Sequence, residues 1–219
     1  MYIPFNTHSP ISSPGDIIRV LDLSVNDSMM VSKQENKETI KLYNVPVAFD
    51  IETTSFYLND DTKAATMYEW TFGINGNVII GRTWDEFFNM LDAVVQHLNL
   101  SLNKRLVVYV HNLSFEFQFI RKWFKWSKVF AVDTRKPVYA VTENGIEFRC
   151  SFLLSGYSLA KLGDELQKYP VQKMAGDLDY SLMRHSETPL TEKELKYCKN
   201  DVRVVMAYVQ ERIEIDKGI

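Results

Sequence analysis

Three short stretches of this chain carry side chains able to do chemistry together. In Phe49-Asp50-Ile51-Glu52-Thr53, two carboxylates stand two residues apart at the end of an apolar run, Val47–Ile51, that reads as a buried strand. Strand side chains alternate faces, so Asp50 and Glu52 point the same way. Like charges side by side repel, and burying them is costly unless something positive lies between. Mg²⁺ or Mn²⁺, which take oxygen ligands, meets that need. The second stretch, His111-Asn112-Leu113-Ser114-Phe115-Glu116, follows another apolar run, Arg105–Val110. It falls where strand turns into helix, and ligand crevices of open α/β sheets form outside the carboxyl ends of strands. In the third, Tyr197-Cys198-Lys199-Asn200-Asp201, the tyrosine and aspartate are four apart and share one helix face. Asp201 lies amid Leu195, Val202, Val204, Val205 and Tyr208, so that face is largely buried and the carboxylate needs a partner.

Each stretch alone also fits a plainer role. Asp50 and Glu52 suit a strand end running into solvent, and Glu116 suits the positive end of a helix. Asp201 suits a structural ion pair with a lysine such as Lys199 or Lys173.

The elements that must position these groups are legible in the patterning. Met67–Ile74 and Asn77–Arg82 flank Asn75-Gly76, a two-residue hairpin turn. Thr83 with Glu86 forms a capping box for a helix over about Trp84–Leu98, and Thr191 with Glu194 another for a long helix to about Ile215. A helix is expected over Phe115–Phe124, and a short one, capped by Ser158, runs through Gln167. Phe130–Val132, Val138–Val141 and Ile146–Phe152 read as strands. Within residues 1–44, Asp16–Leu23 and Ser28–Val31 suit an edge hairpin on an extension packed against a main domain over 45–219. The expected class is α/β with a mixed sheet.

Composition narrows the partners. The 219 residues carry 25 Lys+Arg against 28 Asp+Glu, for a net charge of −3. A dedicated nucleic-acid binder carries a cationic excess, so contact with DNA would need metal ions or another domain to supply attraction. Cys150 and Cys198 are far apart and the four histidines scattered, which excludes clustered zinc ligation. No apolar run reaches membrane-span length and no signal-peptide pattern opens the chain. The expectation is a protein of a reducing cytoplasm with no membrane partner. Arg121–Lys128 (RKWFKWSK) mixes cations and aromatics; it reads as a helix end with solvated lysines, or as a base-stacking surface.

Together, FDIETT (49–54), YVHNLSFEFQFI (109–120) and YCKNDVRVVMAYV (197–209) resemble the three motifs of DEDDy-type 3′→5′ exonucleases. More narrowly, they resemble those of protein-primed family B DNA polymerases of bacteriophages, as does GDLDY (176–180). The resemblance implies an RNase H-like fold and hydrolysis of single-stranded DNA 3′ ends in a bacterial host cell. It implies two metal ions, Mg²⁺ or Mn²⁺, held by Asp50, Glu52 and Asp201, with Glu116 and Tyr197 completing the catalytic set. Thr53, Asn112, Phe115, Ser151, Phe152 and Tyr180 would contact DNA. Lys173 is a further candidate, two residues from the place of the family's lysine. Two features depart from the pattern: Glu116 stands where the motif carries Asp, and Phe152 where it carries Leu. The implied partners are the DNA 3′ end, the rest of a polymerase and a terminal protein. The chain ends just past the third motif, without room for palm and thumb regions, and so reads as an excised or truncated domain. The rivals are a catalytically weak RNase H-like nucleic-acid-binding module and an RNA 3′-exonuclease. The small RNA enzymes carry His five residues before the last aspartate, where this chain has Lys196.

Overall fold

The structure is a computed structural model, describing residues 14–216 except 175–177 and 181. Gly176 and Asp177 of the GDLDY stretch therefore lie outside the described residues. The strands are β1 (Met30–Glu35), β2 (Glu38–Tyr43), β3 (Val47–Asn59), β4 (Thr62–Ile74), β5 (Asn77–Gly81), β6 (Lys104–Val110), β7 (Trp126–Asp133), β8 (Lys136–Thr142) and β9 (Ile146–Cys150). The helices are α1 (Ile17–Ser24), α2 (Trp84–His97), α3 (Leu113–Ile120), α4 (Ser151–Ser155), α5 (Leu159–Asp164) and α6 (Glu192–Asp216).

One mixed sheet runs β5-β4-β3-β6-β9-β8-β7. β3 and β9 lie parallel to β6 on either side of it, and β4, β5, β7 and β8 join antiparallel. β2 also pairs parallel with β6, at its start, while β3 meets it near its end. The hairpin β1–β2 thus belongs to the same sheet as the strands that follow it.

Strand alternation sorts the core into two faces. Val47, Phe49, Ile51, Leu106, Val108 and Val110 pack with α1 and α2. Ala48, Val107 and Tyr109 point the other way, onto Val202, Val205, Met206 and Val209 of α6. Asp50 and Glu52 continue the Ala48 series, so the period of two delivers both carboxylates to the α6 face. Close approach of α6 depends on a missing side chain: a Cβ on Gly73, which lies opposite Ala48, would sit 2.5 Å from Met206 Cε and 2.8 Å from its Sδ.

The expected caps are present. Thr83 accepts from Glu86 N and the Glu86 side chain accepts from Thr83 N; Thr191 and Glu194 do the same at the start of α6. Asn75 and Gly76 both take positive φ, 45° and 88°, as a two-residue hairpin turn requires.

Several expectations are corrected. Asp16–Leu23 does not form a hairpin with Ser28–Val31. Ile17, Val20 and Leu21 recur at helical spacing and bury against α2 as α1, and the hairpin is the polar stretch 30–43 instead. Ile146–Phe152 is strand only to Cys150; Ser151 and Phe152 open α4. The second-motif helix starts at Leu113 and ends at Ile120 rather than Phe124. RKWFKWSK is an exposed helix end only at its start, over residues 121–123; from Trp126, which opens β7 and packs on Phe148, it is strand, and Lys128 pairs with Glu35 at 2.8 Å. A buried ion pair stitches the sheet from β1 to β9, with Arg105 Nη1 3.2 Å from Glu35 and 3.0 Å from Glu147.

Candidate active site

β3 and β4 are paired so that Asp50 faces Thr71 and Glu52 faces Glu69. Over this ladder α6 lays Tyr197 and Asp201, one turn apart on its buried face. Carboxylate oxygens of Asp50, Glu52 and Asp201 come within 4.8 Å of one another, close enough to hold a metal ion. Glu116, in the first turn of α3, is also buried, and of the charges that act on it Asp50 acts most strongly. The three sequence motifs therefore meet at one place.

The electrostatics are those of a cation site. Burial, then the Asp201 charge, pushes Asp50 up to about 7. Burial, then Asp50, Glu69 and Asp201, pushes Glu52 up to about 9. Burial raises Asp201 as well, against the lowering effect of Lys173, and burial and Asp50 raise Glu116 far above the ordinary carboxylate range. Asp201 Oδ1, Glu116 Oε2 and Glu69 Oε2 are buried without a hydrogen-bond partner among the described residues. Buried acceptors left unpaired are costly; an all-oxygen set with spare lone pairs is what Mg²⁺ or Mn²⁺ requires.

Lys173 reaches this site despite its offset in sequence. Its Nζ donates to Asp201 Oδ2 at 2.6 Å and to Tyr197 Oη at 3.2 Å. Tyr197 in turn shares a hydrogen bond with Tyr180 at 3.3 Å. Burial lifts the Tyr197 phenol to about 12, so it is neutral near neutral pH. Asn112 sits at the junction of β6 and α3 with φ 72° and ψ 55°, a left-handed conformation that asparagine tolerates better than most residues. Phe115 and Phe152 are exposed, as is Tyr180. Ser151 is fully enclosed; its hydroxyl lies 3.1 Å from His111 Nδ1 and 3.3 Å from the Val110 carbonyl, so it supports His111 instead of facing solvent. Thr53 follows Glu52 at a register shift in the β3–β4 ladder. Burial lowers His111 to about 4, so that ring is uncharged at neutral pH.

Comparison with known proteins decides the family. The sequence profile described as 3′-5′ exonuclease matches residues 28–214. The chain belongs to the 3′-5′ exonuclease family. Its relatives include the DNA polymerases of Bacillus phage Nf, 27% identical over 176 residues, and of Bacillus phage phi29, 27% identical over 181 residues. In each case the match covers 71% of this chain but 28% of the phage polymerase. Among solved structures, phi29 DNA polymerase complexed with single-stranded DNA superimposes with a TM-score of 0.63 at 19% identity, covering 79% of this chain and 32% of that one. The fold is RNase H-like, with a large mixed sheet and flanking helices.

Two residues at or beside this candidate site escaped the sequence reading. Glu69 is almost wholly buried beside Glu52, its Oε1 accepting from Thr71 Oγ1 at 2.5 Å, and burial pushes it up to about 8. A lone acid inside Tyr68-Glu69-Trp70 was the available signal, since a charged residue in an apolar strand needs a reason. Arg184 pairs with Glu194 at 2.6 Å, and its backbone N–H donates to Thr54 at 2.8 Å, which fastens the loop before α6 to β3.

Glu116 yields the sharpest single-residue test. A helix-start charge belongs in solvent, whereas this carboxylate is enclosed near Asp50. Glu116→Asp should change the rate of single-strand degradation modestly, and Glu116→Gln should cost far more, because an amide neutralises no cation. Rates over a Mn²⁺ series decide it; near-equal rates for wild type and both variants would remove Glu116 from the site.

Proposed function

We propose that this chain is the proofreading 3′→5′ exonuclease domain of a phage family B DNA polymerase, hydrolysing single-stranded DNA 3′ ends with two divalent metal ions. The observation that carries the reading is the convergence of Asp50, Glu52 and Asp201 from two elements, with Glu116 from a third. Asp50, Glu52 and Asp201 would hold Mg²⁺ or Mn²⁺. When bound, such ions lower the pKa of water and neutralise charge on the attacking and leaving oxygens of an in-line displacement.

The protein's own groups do the rest. Tyr197, neutral through its raised pKa, holds the attacking water by a hydrogen bond at Oη and positions it without taking its proton. Lys173 Nζ steadies Tyr197 and Asp201 together. Asn112, Thr53 and the exposed rings of Phe115, Phe152 and Tyr180 receive the terminal nucleotides, Thr53 from its place next to Glu52 at the strand's register shift. The product is a deoxynucleoside monophosphate and a strand one nucleotide shorter. The rest of the polymerase, a terminal protein and the cytoplasm of a bacterial host complete the proposal, since the phage relatives extend well beyond the matched region. Among the described residues no helix is long and apolar enough to cross a membrane.

The Lys173–Asp201 ion pair is the observation favouring the second reading, a catalytically weak nucleic-acid-binding module. Incubation with 5′-labelled single-stranded DNA, with and without Mg²⁺ or Mn²⁺, separates the two. The expected result is a ladder shortening from the 3′ end only when metal is present, and faster than on paired duplex. Intact DNA in Mn²⁺ with folded protein, or shortening from the 5′ end, overturns the exonuclease reading.

A further inference from the structure

The Arg121–Lys128 stretch is not used by the catalytic site, yet its first three residues line a groove of about 510 Å³. One wall is Arg121, Lys122 and Trp123 at the end of α3; the other is Ala65 and Thr66 of β4. None of the lining residues is acidic. In a chain of net charge −3 that is a local reversal of sign. Both cations are exposed, and no ion pair holds either of them among the described residues, in contrast to Lys128, which Glu35 engages. The Lys122 ammonium stands 5.1 Å from the centre of the Trp123 ring, which is itself seated on Phe88 at 5.2 Å, so cation and aromatic are presented together.

The groove and the candidate active site share two elements, α3, which carries Glu116, and the β3–β4 ladder, which carries Asp50 and Glu52. Its floor residue Phe119 contacts Phe115, the exposed ring beside Asn112, at 5.3 Å. Its β4 wall begins where Thr53 pairs with Met67, directly after the Glu52–Glu69 pair. A strand whose 3′ end lies at the carboxylates and whose next bases pass Phe115 would enter this groove. There its phosphates would meet the only strongly cationic wall the groove offers, and its bases an aromatic rim. Backbone-tracking cations interleaved with aromatics are the chemistry of single-strand binding without sequence preference.

We propose that the Arg121–Lys122–Trp123 groove binds the single-stranded DNA segment upstream of the 3′-terminal nucleotides. This rests on the exonuclease reading for the placement of the 3′ end, but binding is measurable without cleavage. The test is fluorescence anisotropy in EDTA with a labelled trinucleotide and a labelled dodecanucleotide of thymidylate, for wild type and for Arg121→Ser with Lys122→Ser, over a salt series. Wild type should hold the longer strand more tightly. The double variant should lose about tenfold of that affinity, with its salt slope reduced by about 1.4, two phosphates at about 0.7 each. Trinucleotide affinity and melting temperature should not change. Equal affinity of wild type for both lengths, no binding of either, or an unaltered slope in the variant overturns the groove. Long-strand binding lost in the variant, with no degradation by wild type in Mn²⁺, leaves the groove standing and removes only the exonuclease reading.

Discussion

The Asp50→Asn, Glu52→Gln double variant will lose single-strand cleavage by about 10³-fold or more, the scale on which removal of a catalytic group acts, while melting in EDTA no lower than wild type. The two carboxylates share one strand face and sit within 4.8 Å of the oxygens of Asp201. Without a cation, burial first and neighbouring carboxylates second, Asp201 for Asp50 and Asp50 for Glu52, push Asp50 up to about 7 and Glu52 up to about 9. Isosteric amides keep the packing and remove the repulsion. The same exchange removes the cation's ligands, so Mn²⁺ should no longer raise the melting temperature, as it should for wild type. Cleavage near the wild-type rate would take the pair out of catalysis. A large fall in melting temperature in EDTA would show that the pair is structural.

The metal-free protein should also lose stability as pH rises, the reverse of what surface carboxylates give. In an unfolded chain Asp and Glu titrate near 4. In the fold, burial first and neighbouring charge second place Asp50 at about 7, Glu69 at about 8 and Glu52 at about 9. These groups have raised folded pKa values. Their contribution is fully present below about pH 4 and is lost progressively as pH rises, completely by about 7 for Asp50, about 8 for Glu69 and about 9 for Glu52, because the folded state binds more protons up to those values. Carboxylates with lowered values act elsewhere. Glu214, held at about 2 by Lys168 and Tyr169, has its contribution complete well below those values. Melting temperature in EDTA should therefore decline from about pH 6 to about pH 9. Added Mn²⁺ should flatten the decline, since it binds the deprotonated set. A melting temperature that is flat or rises with pH in EDTA would contradict the buried acidic cluster.

What the sequence disclosed, and what it withheld, follows from where the determining contacts lie. The period of two across Val47–Glu52 placed both strand carboxylates on one face, and the capping boxes at Thr83 and Thr191 located two helices, because these are interactions among near neighbours. α1 was misread although Ile17, Val20 and Leu21 stand at helical spacing, since so short a stripe also fits a strand until α2 is there to receive it. The outer halves of β3 and β4 and most of β1 are exposed ribbons, and in β2 the buried alternation is only Ile40, Leu42 and Tyr43, too short to mark a strand by itself. Glu69 and Lys173 are closest to the chemistry among the missed or doubtful positions. Their importance comes from partners across the sheet and 28 residues away along the chain, the latter being Asp201 for Lys173.

The absent side chain at Gly73 has a reach greater than its own position. Met206, whose side-chain end fills the space over it, is fully buried and would have to repack if that space were taken. It lies five residues from Asp201 on α6, roughly 7.5 Å along the axis at about 1.5 Å per residue. The close seat of α6 on the sheet, and with it the gap that Asp201 must close, thus draws on the thinness of the sheet at Ala48 and Gly73. A bulky residue at Gly73 would act as a wedge, prising the helix-borne carboxylate from the strand-borne pair while every acidic side chain stayed intact.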